Sequence, residues 1–171
     1  MAEPLRERLQ PNLLERLTDD EPGNAREARE SRAGAALVRA SVVDNLGALF
    51  NAVCLEADTD LSAYPEVRRS VLNYGLPALT GCSAAGLQLR ELERELRIAV
   101  LDFEPRLLAD TVRVRALTEG TDMKRHNVIV FQIEAQLWAQ PDPVALSLRT
   151  TLDLGSRQCV VAEVRGARGA P

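Results

Sequence analysis

Histidine and lysine are nearly absent from this 171-residue chain, with His126 and Lys124 the sole examples. One histidine excludes the multi-histidine metal sites, and with only Asp122 near it His126 reads as a solvated loop residue. No Gly-rich phosphate cradle is present, and no G-x-S-x-G elbow presents a nucleophile. The three cysteines, Cys54, Cys82 and Cys159, are scattered and form no C-x-x-C pair. That fits reduced thiols in a cytosolic protein better than a disulfide framework. Aromatics make up 4% of the chain, too few to line a sugar cleft. No run approaches the roughly 18 apolar residues of a membrane span. Met1-Ala-Glu-Pro-Leu-Arg6 carries no apolar core of signal-peptide length, so a cytoplasmic location is expected. The net charge of −4 weighs against binding driven by nucleic-acid phosphates. No cofactor, metal or small-molecule substrate is expected.

What remains is aliphatic and rich in arginine. The apolar fraction is 46%, enough for one core built mainly of Leu, Val and Ala. Arginine forks and stacks better than lysine and is enriched at protein interfaces. Three regions are expected: an N-terminal arm and mobile linker over 1–32, a single domain over 33–165, and a flexible tail over 166–171. In the arm, Leu5, Leu9, Leu13 and Leu17 recur at helical spacing, interrupted by Pro11. Leu13, Leu14 and Leu17 make an apolar edge on a segment too short to hold a helix without docking. The charged stretch 18–32, with Pro22 and Gly23, gives that edge reach.

The domain begins with a helix whose stripe is Val42, Leu46, Leu49, Phe50 and Val53, with Ser41 and Asp44 as a candidate capping box and an extension upstream from about Ala33. A short helix is expected over Pro65–Leu72, with proline in its first turn and Gly75 as a left-handed cap. Leu89, Leu92, Leu96, Val100 and Phe103 mark a further helix, which Ser83 would start. The period then falls from between three and four residues to two. Leu107–Leu117 reads as a first strand and Val128–Ala139 as a second, with Ile129, Phe131, Ile133, Ala135 and Leu137 on one face. Gln140-Pro-Asp-Pro143 makes a turn into a third strand, whose apolar face is Val144, Leu146, Leu148, Thr150 and Leu152. Cys159–Val164 is one more apolar run. The fold class that follows is α+β, helices packed on a three- to four-stranded antiparallel β-meander.

The change of period falls at Glu104-Pro105-Arg106. Pro105 disfavours helical geometry at Glu104 and has no amide proton to continue the helix, so the two charges sit at a stiff joint. A helix stop with a local ion pair would account for them. A glycoside hydrolase would need a general acid here, and Arg106 beside Glu104 favours the ionised carboxylate, the wrong direction for that role.

Taken in order, Leu13-Leu-Glu-Arg-Leu17, the Ser41 and Asn45-Leu46 helix, Tyr64-Pro-Glu-Val67, Ser70-Val-Leu-Asn-Tyr-Gly-Leu-Pro77 and Phe103-Glu-Pro-Arg-Leu107 resemble the TssE family. These are small baseplate subunits of bacterial type VI secretion systems, related to a wedge protein of contractile phage tails. The similarity runs from Leu13 to about Leu154, and Tyr-Gly-Leu-Pro and Glu-Pro-Arg-Leu are its specific elements. It implies a structural role: binding TssF, TssG and TssK type baseplate subunits and linking them to contractile sheath proteins, at a baseplate docked on the inner membrane complex. The family's wedge contact maps onto Glu104, Pro105 and Arg106. Where the family tends to end its first long helix with Leu-Asn-Thr-Arg, this chain has Phe50-Asn-Ala-Val53. Sheath proteins exchange strands, so the sheet is expected to offer an acceptor edge, either Val144–Leu152 or, preferred here, Cys159–Val164.

Overall fold

A computed structural model describes residues 13, 17, 35–77, 89–117, 128–139, 142–156 and 158–164. Helix α1 spans Ala35–Asn51, the short α2 Pro65–Arg68 and α3 Leu89–Phe103. Strands β1 (Arg113–Ala116), β2 (Val128–Leu137), β3 (Val144–Asp153) and β4 (Gln158–Glu163) form one antiparallel sheet in the order β1-β2-β3-β4. The expected α+β meander is present with four strands.

The alternation read in β2 and β3 sets the inner face. Ile129, Phe131, Ile133, Ala135 and Leu137 are buried on one strand, and Leu146, Leu148, Thr150 and Leu152 on its neighbour. Against them pack Val38, Val42, Leu46, Leu49 and Phe50 of α1 and Leu92, Leu96, Ala99 and Val100 of α3. Burying these aliphatic chains, at roughly 1.5–3 kcal/mol each, is the main term holding the layers together.

Several local expectations are corrected. The Ser41–Asp44 capping box fails because α1 starts earlier, at Ala35, which leaves Ser41 inside the helix and buried. Val53 lies past the helix end, 61% exposed, its backbone bridged in parallel to Leu76. The helix expected over Pro65–Leu72 stops at Arg68 and is followed by a separate 3-10 turn at Val71–Asn73, started by Ser70 Oγ accepting from Leu72 N–H. Gly75 has φ +130°, but no helix cap requires it. A Cβ there would lie 2.6 Å from the Ala52 carbonyl oxygen, so the glycine lets two chain segments touch.

The strand expected over Leu107–Leu117 is only four residues long. Leu107 makes an isolated bridge to Leu137, and a 3-10 turn at Ala109–Thr111 intervenes before β1. The Ser83 helix start, the connection between the first and second strands, Gln140 and Pro141 of the turn into the third, Leu14, and the rest of the arm, linker and tail lie outside the described residues. Leu13 and Leu17 have helical backbones and are exposed.

Both sheet margins are fastened by helix side chains. At β1, Ala116 N–H donates to Glu93 Oε1 (2.6 Å) and Val112 C=O accepts from Arg97 Nε (3.0 Å). At β4, the Asn51 side-chain amide donates to Cys159 C=O (2.8 Å) and accepts from Cys159 N–H (2.9 Å). Arg39 pairs with Glu163 (2.9 Å) and donates to Ala145 C=O (3.0 Å) where β3 runs past the end of β4. Val144–Leu152 is therefore interior, between β2 and β4. Cys159–Val164 lies at the margin, as expected, and closes its own sheet on β3.

Candidate functional site: the helix-to-sheet joint

The joint is built from the last turn of α3. Glu104 N–H makes the final helical bond, to Val100 C=O (2.9 Å), and Pro105, which has no N–H, ends the ladder. The chain then turns onto the end of β2. Trp138 N–H donates to Arg106 C=O (2.8 Å), and Leu108 N–H donates to Gln136 C=O (2.9 Å). The backbone on both sides of Pro105 is thus pinned to regular elements.

The structure brings Glu104 and Arg106 together and uses the pair inward. Glu104 is 3% exposed. Arg106 Nε donates to Glu104 Oε1 and Nη2 to Oε2, both at 2.6 Å, a bidentate fork-to-carboxylate contact. Its remaining terminal nitrogen, Nη1, donates to Ser41 Oγ on α1 (2.8 Å). Arg106 is the point at which α1, α3 and the end of β2 meet. Pro105, between the two charges, is exposed.

The second specific motif converges on the same place. Tyr74, thirty residues upstream of Glu104, packs edge-on against Phe103 with ring centroids 5.2 Å apart. Its hydroxyl donates to Asn45 C=O on α1 (3.4 Å). Burial, together with the nearby negative charge of Glu104, raises the Tyr74 hydroxyl above the usual tyrosine range. Asn73 is buried beside it and holds the intervening excursion, accepting from Glu56 N–H (2.8 Å) and donating to Arg68 C=O (2.9 Å).

Sequence reasoning missed Ser41 as a partner of Arg106, and missed Asn51, Arg39, Glu93 and Arg97 as fasteners of the sheet margins. Asn51 carried a usable signal, a polar residue directly after the apolar Leu49-Phe50 pair. Nothing local marks the others. Among the described residues no group of three or more His, Cys, Asp or Glu side chains could hold a metal ion, and no helix is long and apolar enough to cross a membrane. Cys159 is buried in the core, which pushes its thiol up to about 12.

The buried Glu104–Arg106 pair thus ties the end of α3 to α1, beside backbone bonds to the end of β2, an arrangement that suits a structural module. The family comparison agrees. The chain belongs to the family described as baseplate wedge protein gp25, whose model matches residues 36–142, a span that holds α1, α3, both specific motifs and the first two strands. It is a structural baseplate family, and membership implies protein–protein contacts within a baseplate. No curated protein and no solved structure matches the chain.

Proposed function

We propose that this chain is a structural, non-enzymatic subunit of a type VI secretion baseplate. In this reading it binds a wedge of TssF and TssG type subunits, with TssK type subunits nearby, and connects that wedge to the contractile sheath. It works in the cytoplasm, at a baseplate docked on the inner membrane complex. The observation that carries the reading is the family match across the Glu104-Pro105-Arg106 joint, a stiff corner with its proline turned outward. The roles within the motif divide. Glu104 orients Arg106, and the exposed corner at Pro105, with the outer edge of Arg106, meets the wedge. Leu13, Leu14 and Leu17 supply a second contact through the arm. Both carboxylate oxygens of Glu104 are bonded to Arg106, which supports a structural use of this acid over a catalytic one. The gp25 description also fits a wedge protein of a phage-like contractile particle, which the neighbouring genes would distinguish.

The test is co-purification with TssF/TssG type subunits. Pro105→Glu changes an exposed position and should leave the thermal melt near wild type while lowering capture about tenfold, as loss of one interface contact does. Undiminished capture of that folded variant would remove the joint from the wedge contact.

A further inference from the structure

The helices cover one face of the sheet, and the opposite face has a composition of its own. Strand alternation places Arg113 and Arg115 of β1, Gln132, Glu134 and Gln136 of β2, and Arg149 of β3 on it. The register aligns Arg115, Gln132 and Arg149 in one row across three strands, with Arg113 opposite Glu134 in the row one pleat away. Strand spacing puts the backbones of Arg115 and Arg149 roughly 10 Å apart and those of Arg113 and Arg115 about 7 Å apart. Trp138, the only tryptophan, continues this face beyond the end of β2, 37% exposed between the buried Leu137 and Ala139.

These arginines differ from the others described. Arg39, Arg68, Arg69, Arg94 and Arg106 each have a carboxylate partner, and Arg97 has a carbonyl. Arg113, Arg115 and Arg149 are exposed with no such partner among the described residues; Arg90 on α3 is the only other. Glu134, the one acid in these rows, accepts instead from Gln132 Nε2 (3.0 Å). Asp153, at the end of β3, is the other acid on this face and is held by the Gly155 and Ser156 N–H groups. Three arginines thus meet two acids on a side that no described element covers, and the Arg115–Gln132–Arg149 row itself carries no acid. Arginine and tryptophan are residue types that dominate interface energetics, because both offer large planar contact area with fixed donors. The face is also not flat. A concavity of about 820 Å³ opens beside Arg113 and Glu134 and runs toward the Arg39–Glu163 pair. At its other limit the face joins the proposed wedge contact, since Trp138 N–H is bonded to Arg106 C=O.

We infer that the open sheet face, through Arg113, Arg115, Arg149 and Trp138, is a docking surface for an acidic polypeptide segment of a baseplate partner. The partner lays Asp or Glu side chains over the arginine rows and an apolar group against the indole. This rests on the baseplate reading above, and it adds a surface distinct from the motif corner. Attraction between opposite charges guides the encounter and selects the partner, and the desolvated centre supplies the affinity.

The test is photo-crosslinking in cells that assemble the baseplate, with p-benzoylphenylalanine replacing Gln132 in one strain and Pro105 in another. The expected result at position 132 is an adduct with a baseplate polypeptide through a peptide bearing several Asp or Glu residues. Combining R115E with R149E should lower that adduct about tenfold while the adduct at 105 and the melt stay unchanged. Reversing the partner's acids to arginine should restore it. An adduct at 105 with none at 132 means a solvated charged face and overturns the inference alone. So does an adduct with a non-acidic peptide, a lipid or a nucleic acid, or one that ignores the charge reversal. No adduct at either position overturns the baseplate reading with it.

Discussion

Arg106 does two things whose energetic consequences differ. Its guanidinium neutralises a carboxylate that is 3% exposed, and it ties α3 to α1 through Ser41. Removing one partner of such a pair strands a buried charge at a cost of about 3–5 kcal/mol, whereas replacing both by apolar groups is often nearly neutral. Arg106→Ala is therefore expected to lower the urea midpoint strongly even with no partner present. Glu104→Leu combined with Arg106→Met should recover much of that loss in the isolated protein. If Arg106→Ala denatures at the wild-type midpoint, the pair is not a structural tie, and the motif acts mainly by outward contact. For the same reason, loss of binding in an Arg106 variant says little about the wedge unless its fold is checked. Exposed Pro105 is the cleaner probe.

The excursion from Ala52 to Pro77 carries its own folding logic. It has little helix or strand, yet polar bonds hold it at defined points: Cys54 N–H to Leu76 C=O (3.0 Å), Leu76 N–H to Ala52 C=O (2.9 Å), and the Asn73 side chain across its base. Gly75 permits this by its positive φ and by having no side chain where Ala52 passes. Gly75→Ala puts a methyl group 2.6 Å from a backbone oxygen that has no rotamer to yield, on top of the strain of positive φ. A loss of about 2–4 kcal/mol is expected in chemical denaturation, in the range of overpacking plus backbone strain. A change below about 0.5 kcal/mol, typical of surface positions, would mean that the excursion is free to rearrange. Tyr74 is the link outward from this element, because shifting its backbone moves the ring that packs on Phe103 beside the joint.

Among the described residues the molecule is a sheet with helices on one face and two unequal margins. α3 holds β1 at Val112 and Ala116, which leaves only Val114 between them at that margin. At β4, Cys159 is taken by Asn51, and Val164 N–H turns inward to Ser147 C=O (2.8 Å). Ladder alternation then points the backbone groups of Val161 and Glu163 away from β3, with no partner among the described residues. Under the proposed function, the β4 margin offers a sheath strand the longer opening. Val161→Pro removes an outward N–H and spares the bonds to β3, while Val160→Pro removes an inward one. The first variant should keep a cooperative melt and bind wedge subunits yet fail to start sheath polymerisation, and the second should lose stability. Normal polymerisation with Val161→Pro would show that the sheath attaches elsewhere. Deleting 158–171 cannot separate these outcomes, because it removes Cys159 from the core and β4 from the sheet.

Periodicity alone determined the inner faces of β2 and β3 and most of the helix stripes that cover them, though not Val38 of α1 or Ala99 of α3. The two-residue repeat of β2 and β3 and the spaced leucines of α3 are local patterns whose burial follows once the faces are known, and each was legible residue by residue. Pro105 was legible in the same way, since its missing amide proton acts on its immediate neighbours whatever surrounds them. Helix and strand ends were less legible, because tertiary bonds set them. Leu107–Val112 looks like strand, but the bond from Leu108 N–H to Gln136 C=O and the following 3-10 turn consume its backbone before β1 begins. Ser41 was misread because a serine ahead of an apolar stripe has the pattern of a cap, and nothing nearby discloses an arginine sixty-five residues later that requires its oxygen. Contacts across such separations, Ser41 with Arg106, Asn51 with Cys159 and Tyr74 with Phe103, have no signature within one segment. They arise only when packing of the apolar faces brings distant backbone together and leaves buried polar groups that must find partners.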